Sequence, residues 1–437
     1  MTLQNEESTP YTMAEAIAEA KRCLNCKVPQ CRKGCPVGND IPDWIHELSM
    51  GNIGNAMNII NAKSNLPAVC GRVCAHERQC EGHCVLGKMG DHINIGRLER
   101  FVADFDTSMN LTRKAIPPKT RGKVAVIGSG PSGLTVAGEL ARQGFNVDIF
   151  EMEKRPGGVL TFGIPDYRLP NSVVDSEIEK IKQLGVKFIV GVTVGPDITI
   201  DGLFEKGYDA IYIGTGTGSP NAIDIEGGSR RSVIQAIHFL RMASMLNNKV
   251  VRRRDVSVKV NSRIYIVGCG NTAMDAARTA LRLGAQAVTV VYHRDMENMT
   301  ALRAEYDEAV AEGVQFLWNS SIKKIRHNND DGDYLLTMET EGRVYEVSAD
   351  KVMLAVGSRP ASRIVSTTDG IETNDRGYVV TREFPYGMTT RKGVFAGGDV
   401  SGSQATVVHA MANARAVAES IASYVDAITM LRKIDQA

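Results

Sequence analysis

The run VAVIGSGPSGL, Val124 to Leu134, decides how this chain folds. An apolar strand leads into Gly128, Gly130 and Gly133, with Pro131 and Ser132 between them, and the helical run LTVAGELARQG follows before a second strand, VDIFE, ends at Glu151. Each glycine of such a G-x-G-x-x-G turn has its own physical role. The first permits the tight turn, the second lets backbone approach a pyrophosphate, and the third lets helix and strand pack closely. The helix N-terminus adds N–H groups and partial positive charge for the phosphates. Glu151 lies 151 − 128 = 23 residues past the first glycine, where a carboxylate accepts hydrogen bonds from a ribose diol. The β-α-β unit is therefore expected to bind a dinucleotide.

A second copy follows. The strand IYIVG ends at Gly268, the turn continues through Cys269, Gly270, Asn271, Thr272 and Ala273, and the helix TAMDAARTALRLG leads to a strand ending in Tyr292, His293 and Arg294. Alanine is allowed in the third glycine place. A guanidinium at the end of the second strand suits a 2′-phosphate, whereas an acid would repel it, so Arg294 points to NADP(H) over NAD(H) unless it pairs with Asp295. Cys269 has no cysteine close by in sequence and reads as a small turn residue. Further short strands, AIYIGTG from Ala210 and KVMLAVG ending at Gly357, close in glycine turns, and GVFAGGD places Gly398 and Asp399 before a helix. Asp399 is positioned to accept a hydroxyl of an extended ribityl chain, or else to cap that helix.

The 437 residues imply about three domains. Lys plus Arg number 51 and Asp plus Glu 50, a formal charge of +1, so no global field draws nucleic acid or an anionic membrane. The N-terminus lacks a basic and apolar leader, and no stretch approaches the roughly 20 apolar residues of a span. A cytoplasmic placement is expected. No HExxH is present, GPSGL fails the hydrolase G-x-S-x-G, and no side chain is assigned as acid, base or nucleophile.

Eight of the nine cysteines crowd the first fifth of the chain as C-x2-C-x4-C-x3-C-P, Cys23 to Pro36, then C-x3-C-x5-C-x3-C, Cys70 to Cys84. In two-cluster ferredoxins the cysteine before proline ligates the other cluster. On that logic Cys23, Cys26 and Cys31 hold one [4Fe-4S] cluster, Cys35 crosses to a second, and Cys70, Cys74, Cys80 and Cys84 complete both. Zinc competes, because C-x2-C units also build tetrahedral sites; a zinc- and nucleotide-binding regulator is the alternative from another class. Around the cysteines the pattern is helical, with a Thr12-x-x-Glu15 capping box and the periodic run IPDWIHELSMGNIGNAMNII, and KAIPPKTRGK, Lys114 to Lys123, reads as a linker.

Taken together, CLNCKVPQCRKGCP, LPAVCGRVC, INIGRLERFVADF, GSGPSG, PGGVLTFGIPDYRLP, GCGNTAMDAARTALRLGA and FAGGD resemble the small (β) subunit family of NADPH-dependent glutamate synthase. Its relatives are the N-terminal half of dihydropyrimidine dehydrogenase and the large subunit of a bifurcating NADH-dependent ferredoxin:NADP oxidoreductase. The resemblance implies an α/β protein with an N-terminal all-α bis-[4Fe-4S] domain at 1–112. Two Rossmann-like domains would follow, an FAD domain in two pieces at 113–225 and 358–437 and an inserted NAD(P)H domain at 226–357. It implies Cys23, Cys26, Cys31 and Cys84 for one cluster, and Cys35, Cys74, Cys80 and Glu99 for the other, with Cys70 as the alternative to Glu99. It adds Gly158, Leu160 and Arg168 to the flavin site. Relatives carry Arg-Arg where this chain has His293-Arg294. The expected flow is NAD(P)H to FAD, then singly through both clusters to a separate large subunit or ferredoxin. Glutamate formation from glutamine and 2-oxoglutarate is the first expectation for that partner; pyrimidine reduction and bifurcation are the alternatives.

Overall fold

The computed structural model describes residues 6, 9–112, 116–229, 231–327, 333–361, 364 and 367–435. Arg113, where the flavin domain is expected to start, and Lys114 and Ala115 of the expected linker lie outside these residues. The described chain divides into two units: one holds Thr161–Pro170 and Ser219–Ser358, and the other takes in 9–160, 171–218 and 359–435.

The larger unit begins with helices. Met13–Lys21 starts at the capping box, where Thr12 Oγ1 accepts from Glu15 N at 3.3 Å and Glu15 Oε2 accepts from Thr12 N at 2.8 Å. The long periodic run breaks into two helices, Ile41–Ser49 and Ile53–Asn61, because Gly51 turns the chain with a φ of +82°. Their apolar faces bury Trp44, Leu48, Met57 and Ile60 against Leu98 and Val102 of helix Ile95–Met109, and Cys23, Cys31, Cys35 and Cys84 pack on this core. Helix Pro67–Val73 meets Ile95–Met109 so closely that a Cβ on Gly71 would lie 2.5 Å from Arg100 N. That approach brings Cys74 within reach of the Glu99 carboxyl.

A five-stranded parallel sheet follows in the order Val394–Ala396, Ala210–Ile213, Lys123–Ile127, Asn146–Glu151, Lys187–Val190. Its central strands are apolar almost throughout because helices cover both faces of such sheets. Helix Pro131–Arg142 starts with proline at its first position, where no N–H is needed, and the 29-residue helix Val407–Asp435 packs on it.

The other unit repeats the plan. Its parallel sheet runs Val233–Gln235, Lys351–Leu354, Arg263–Val267, Ala287–Val291, Gln315–Leu317. A three-stranded antiparallel sheet, Ser320–His327, Tyr334–Thr340 and Arg343–Ala349, is an addition that the sequence pattern did not signal. Thr161–Pro170 groups here rather than with the expected 113–225 stretch. Its Tyr167 is fully buried beneath Arg282, 3.8 Å from the ring centroid, and Arg168 is ion-paired to Asp275 at 2.8 Å and to Glu305.

Replacing Gly71 with alanine forces two helix backbones apart. The expected cost is about 1–3 kcal/mol, the usual range for overpacking, read as a lower urea midpoint of protein kept anaerobic.

Candidate functional site

In the first turn Gly128 has a φ of +96°, and a Cβ there would sit 2.7 Å from Gly214 O, so only glycine fits at the C-terminal end of this central strand. A Cβ on Gly133 would lie 2.0 Å from Gly128 O, which is the close helix-to-strand packing the pattern requires. Gly130, by contrast, faces open space: nothing lies within 4 Å of its would-be Cβ. Gly130 also caps the helix without a side-chain hydrogen bond, leaving N–H groups of the first turn for a ligand. Glu151, at the end of the second strand, is fixed on both oxygens. Oε2 accepts from Ser129 N at 2.9 Å and Ser129 Oγ at 2.5 Å, and Oε1 from Glu153 N at 2.8 Å.

Two distant segments close on this turn. A Cβ on Gly158 would come within 2.9 Å of Gly130 Cα, with Leu160 fully buried behind it. Gly398, at a φ of +74°, lies so close to Ser132 that a Cβ would meet its Cβ and Oγ at 2.8 Å, and Gly398 N donates to Asn413 Oδ1 at 2.8 Å. Ser132 Oγ and Tyr212 OH share a hydrogen bond of 2.5 Å. Asp399 beside them has a buried Oδ1 with no hydrogen-bond partner, and burial pushes its carboxyl up to about 6. A buried acceptor without a donor next to an open phosphate cradle fits a flavin dinucleotide whose ribityl hydroxyls supply that donor.

The second turn repeats the geometry in the other unit. Gly268 has a φ of +115° and a Cβ would lie 2.4 Å from Ala355 O, while Gly270 meets only Thr300 Oγ1, at 3.4 Å. Asn271 Oδ1 accepts from Leu302 N at 2.9 Å, and Cys269 O accepts from Ala301 N at 3.0 Å, fastening the following loop to the turn. Ala273 is fully buried in the third glycine place, and Thr272 is exposed. Cys269 is buried, which pushes its thiol up to about 12 and suits a turn residue rather than a redox thiol. His293 and Arg294 stand exposed beyond the strand, and His293 borders a hollow with Asn319, Ser320, Glu339 and Glu341. Asp295, the acid next to Arg294, accepts from Asn298 N at 3.0 Å and Nδ2 at 2.8 Å and also feels the Arg294 charge. Gly357, with a φ of +84°, accepts through its carbonyl from Asn221 N at 3.0 Å. Arg168 is engaged within its own unit by Asp275 and Glu305.

The cysteines form two groups. Cys23, Cys26, Cys31 and Cys84 line one hollow whose other walls are apolar, among them Ile41, Ile45, Leu86, Ile93 and Ile95. Burial pushes the Cys31 thiol up to about 11. Deeper in, Cys35, Cys74 and Cys80 each feel the charge of Glu99; desolvation raises the thiols of Cys35 and Cys80, and at Cys74 hydrogen bonding with Cys70 and then desolvation do so. Glu99 is itself driven up to about 8 by burial and by Glu177. Cys70 acts on Cys35 and Cys74, and its sulfur lies 3.8 Å from Ser64 Oγ and 3.7 Å from Met411 Sδ. Among the described residues no three His, Cys, Asp or Glu side chains are set to grip a single metal ion. Soft thiolates around a wider hollow suit an iron–sulfur cluster, and ligation requires the protons to leave.

Sequence reasoning missed Glu177, Tyr212 and the Asp275–Glu305 pair around Arg168. Tyr212 alone had a signal, as the only polar side chain in the apolar strand AIYI.

Comparison with known proteins agrees with this layout. Residues 2–111 match the family described as dihydropyrimidine dehydrogenase domain II, 4Fe-4S cluster, and residues 122–414 match pyridine nucleotide-disulphide oxidoreductase. The glutamate synthase [NADPH] small chain of Halomonas elongata is 35% identical over 95% of this chain and 92% of its own length. The NAD-dependent dihydropyrimidine dehydrogenase subunit PreT of Escherichia coli is 32% identical over 96% of this chain and 97% of its own. Among solved structures, Lactococcus lactis thioredoxin reductase superposes with a TM-score of 0.54 at 23% identity, covering 70% of this chain and 99% of that one, which speaks to the fold. The cluster family over the cysteine segment sets aside the zinc regulator.

Asp399 yields a pH signature. Its folded-state value of about 6 lies above the ordinary value of about 3.9. Flavin-free protein should therefore lose stability from this group as pH rises from about 4 to about 6. Asp399→Asn should flatten that fall in thermal melts and lower the flavin bound per chain.

Proposed function

Because the chain belongs to the glutamate synthase small-subunit family of flavin and iron–sulfur oxidoreductases, we propose that it takes electrons from NADPH and delivers them to a separate large subunit that makes glutamate from glutamine and 2-oxoglutarate. One observation carries this reading: the flavin cradle and both cysteine groups belong to one folded unit, tied where Asn65 Nδ2 donates to Leu134 O at 3.1 Å. A fixed path for single electrons needs such a frame. Bound flavin supplies the conversion between a hydride pair and single electrons.

This chain's own residues bind and orient. Gly128, Gly130, Pro131, Ser132 and Gly133 cradle the flavin pyrophosphate, Glu151 accepts from the ribose diol, and Asp399 beside Gly398 accepts from the ribityl chain. Gly158 and Leu160 cover the turn. Gly268, Gly270, Asn271, Thr272 and Ala273 cradle the nicotinamide dinucleotide, with Gly357 on the neighbouring strand end. Arg294, exposed and with Asp295 held by Asn298, offers its guanidinium to a 2′-phosphate, and His293 stands where a second cation would strengthen NADPH preference. Arg168 steadies Thr161–Pro170 through its buried acids. Cys23, Cys26, Cys31 and Cys84 hold one cluster; Cys35, Cys74, Cys80 and Glu99 hold the other. A reducing cytoplasm, where thiols stay available to ligate iron, fits this reading.

Arg294→Ala should raise the KM for NADPH about tenfold or more, the scale of a lost hydrogen bond to a charged group, and leave the KM for NADH nearly unchanged. Steady-state assays with both nucleotides check this. Tagged protein should co-purify with a large subunit active on glutamine and 2-oxoglutarate. Activity of the co-purified complex on uracil, or with ferredoxin alone, would reassign the partner.

A further inference from the structure

Tyr212 stands between two isoleucines in the strand Ala210–Ile213 and is fully buried, so its hydroxyl has to find a partner inside the protein. Among the described residues that partner is Ser132 Oγ, at 2.5 Å, and Ser132 is itself only 6% exposed. Two glycines roof the pair. A Cβ on Gly397 would lie 2.5 Å from Tyr212 OH, and one on Gly398 would lie 2.8 Å from Ser132 Oγ. Asn413 pins the roof: its Oδ1 accepts from Gly398 N at 2.8 Å, and its Nδ2 donates to Tyr386 OH at 2.9 Å. The two hydroxyls therefore meet in a dry space, where linked hydrogen bonds polarise one another.

The pair carries two hydroxyl hydrogens and uses one between its members, which leaves the other to give. Ser132 is the second residue of helix Pro131–Arg142, in the first turn that has no capping side chain. In the flavin-free chain either hydroxyl can donate to the other. An anionic oxygen at the helix N-terminus sets the direction, because a charged acceptor takes the Ser132 hydrogen and Tyr212 then gives its own to Ser132 Oγ. Burial keeps the phenol protonated and able to do so. Resting on the flavin reading above, we propose that Tyr212 is a positioning residue for the flavin pyrophosphate: acting through Ser132, it completes a chain of hydrogen bonds from Tyr212 OH to Ser132 Oγ to a phosphate oxygen. The pyrophosphate is then held by an aimed side-chain donor as well as by backbone N–H groups of the turn.

The test uses the full chain purified anaerobically, stripped of flavin by dialysis against bromide and checked for iron, with FAD binding read by quenching of flavin fluorescence. Ser132→Ala should raise the Kd for FAD about tenfold, the scale of a lost hydrogen bond to a charged group. Tyr212→Phe keeps the ring and should raise the Kd about threefold, because Ser132 still donates but is no longer polarised or aimed. It should also shift the phosphorus NMR resonances of bound FAD. Added to Ser132→Ala, Tyr212→Phe should weaken binding no further, since its effect passes through the serine. Tyr212→Phe protein that binds FAD as tightly as wild type, or with unmoved phosphorus resonances, overturns the proposal. So does a further loss of affinity when Tyr212→Phe is added to Ser132→Ala, which would make the tyrosine a support of the fold alone. Wild-type chain that takes up no FAD would instead bring down the flavin reading itself.

Discussion

Sulfur and carboxyl groups held away from water are the constraint on which the rest of this structure depends. Burial raises the thiols of Cys31, Cys35 and Cys80 and the carboxyl of Glu99, and hydrogen bonding with Cys70 together with burial raises that of Cys74, so without metal these groups keep their protons. A segment of about a hundred residues built of short helices has a small core, and small domains commonly need a metal or disulfides to hold. Here thiols share the core with Trp44, Leu48 and Met57. Iron replaces the protons with bonds, so cluster assembly and folding of this segment are coupled.

The two glycine turns obey one rule in different units. In each, the first glycine avoids a carbonyl from the neighbouring strand end, Gly214 O in one and Ala355 O in the other, and the second faces space or a single distant hydroxyl. What differs is the end of the second strand. Glu151 is buried and held by backbone donors and Ser129 Oγ, while Arg294 is exposed. On the function proposed above, a tightly held flavin would face the acid and an exchanging nicotinamide nucleotide the cation.

Much of this was legible in sequence because it rests on local pattern. The turns, Glu151, the capping box at Thr12 and the cysteine spacing are all short-range signals. The reading of IPDWIHELSMGNIGNAMNII as one periodic stretch lost the break at Gly51, since helical phase carries across a tight turn. The antiparallel sheet from Ser320 to Ala349 was missed because its strands mix charged and apolar residues without clean alternation. Partners far apart in sequence left no trace: Arg168 with Asp275 and Glu305, and Glu99 with Glu177. The resemblance to a family supplied the division of cysteines into two groups, which spacing alone left open between Cys70 and Glu99.

The central claim is that electrons enter as a pair and leave singly through iron bound near the N-terminus. The most direct measurement is iron, acid-labile sulfide and flavin content of the chain purified without oxygen. The account requires about eight iron and eight sulfide, two four-iron clusters, for each bound flavin. Protein that retains its flavin but contains neither iron nor labile sulfide would contradict it.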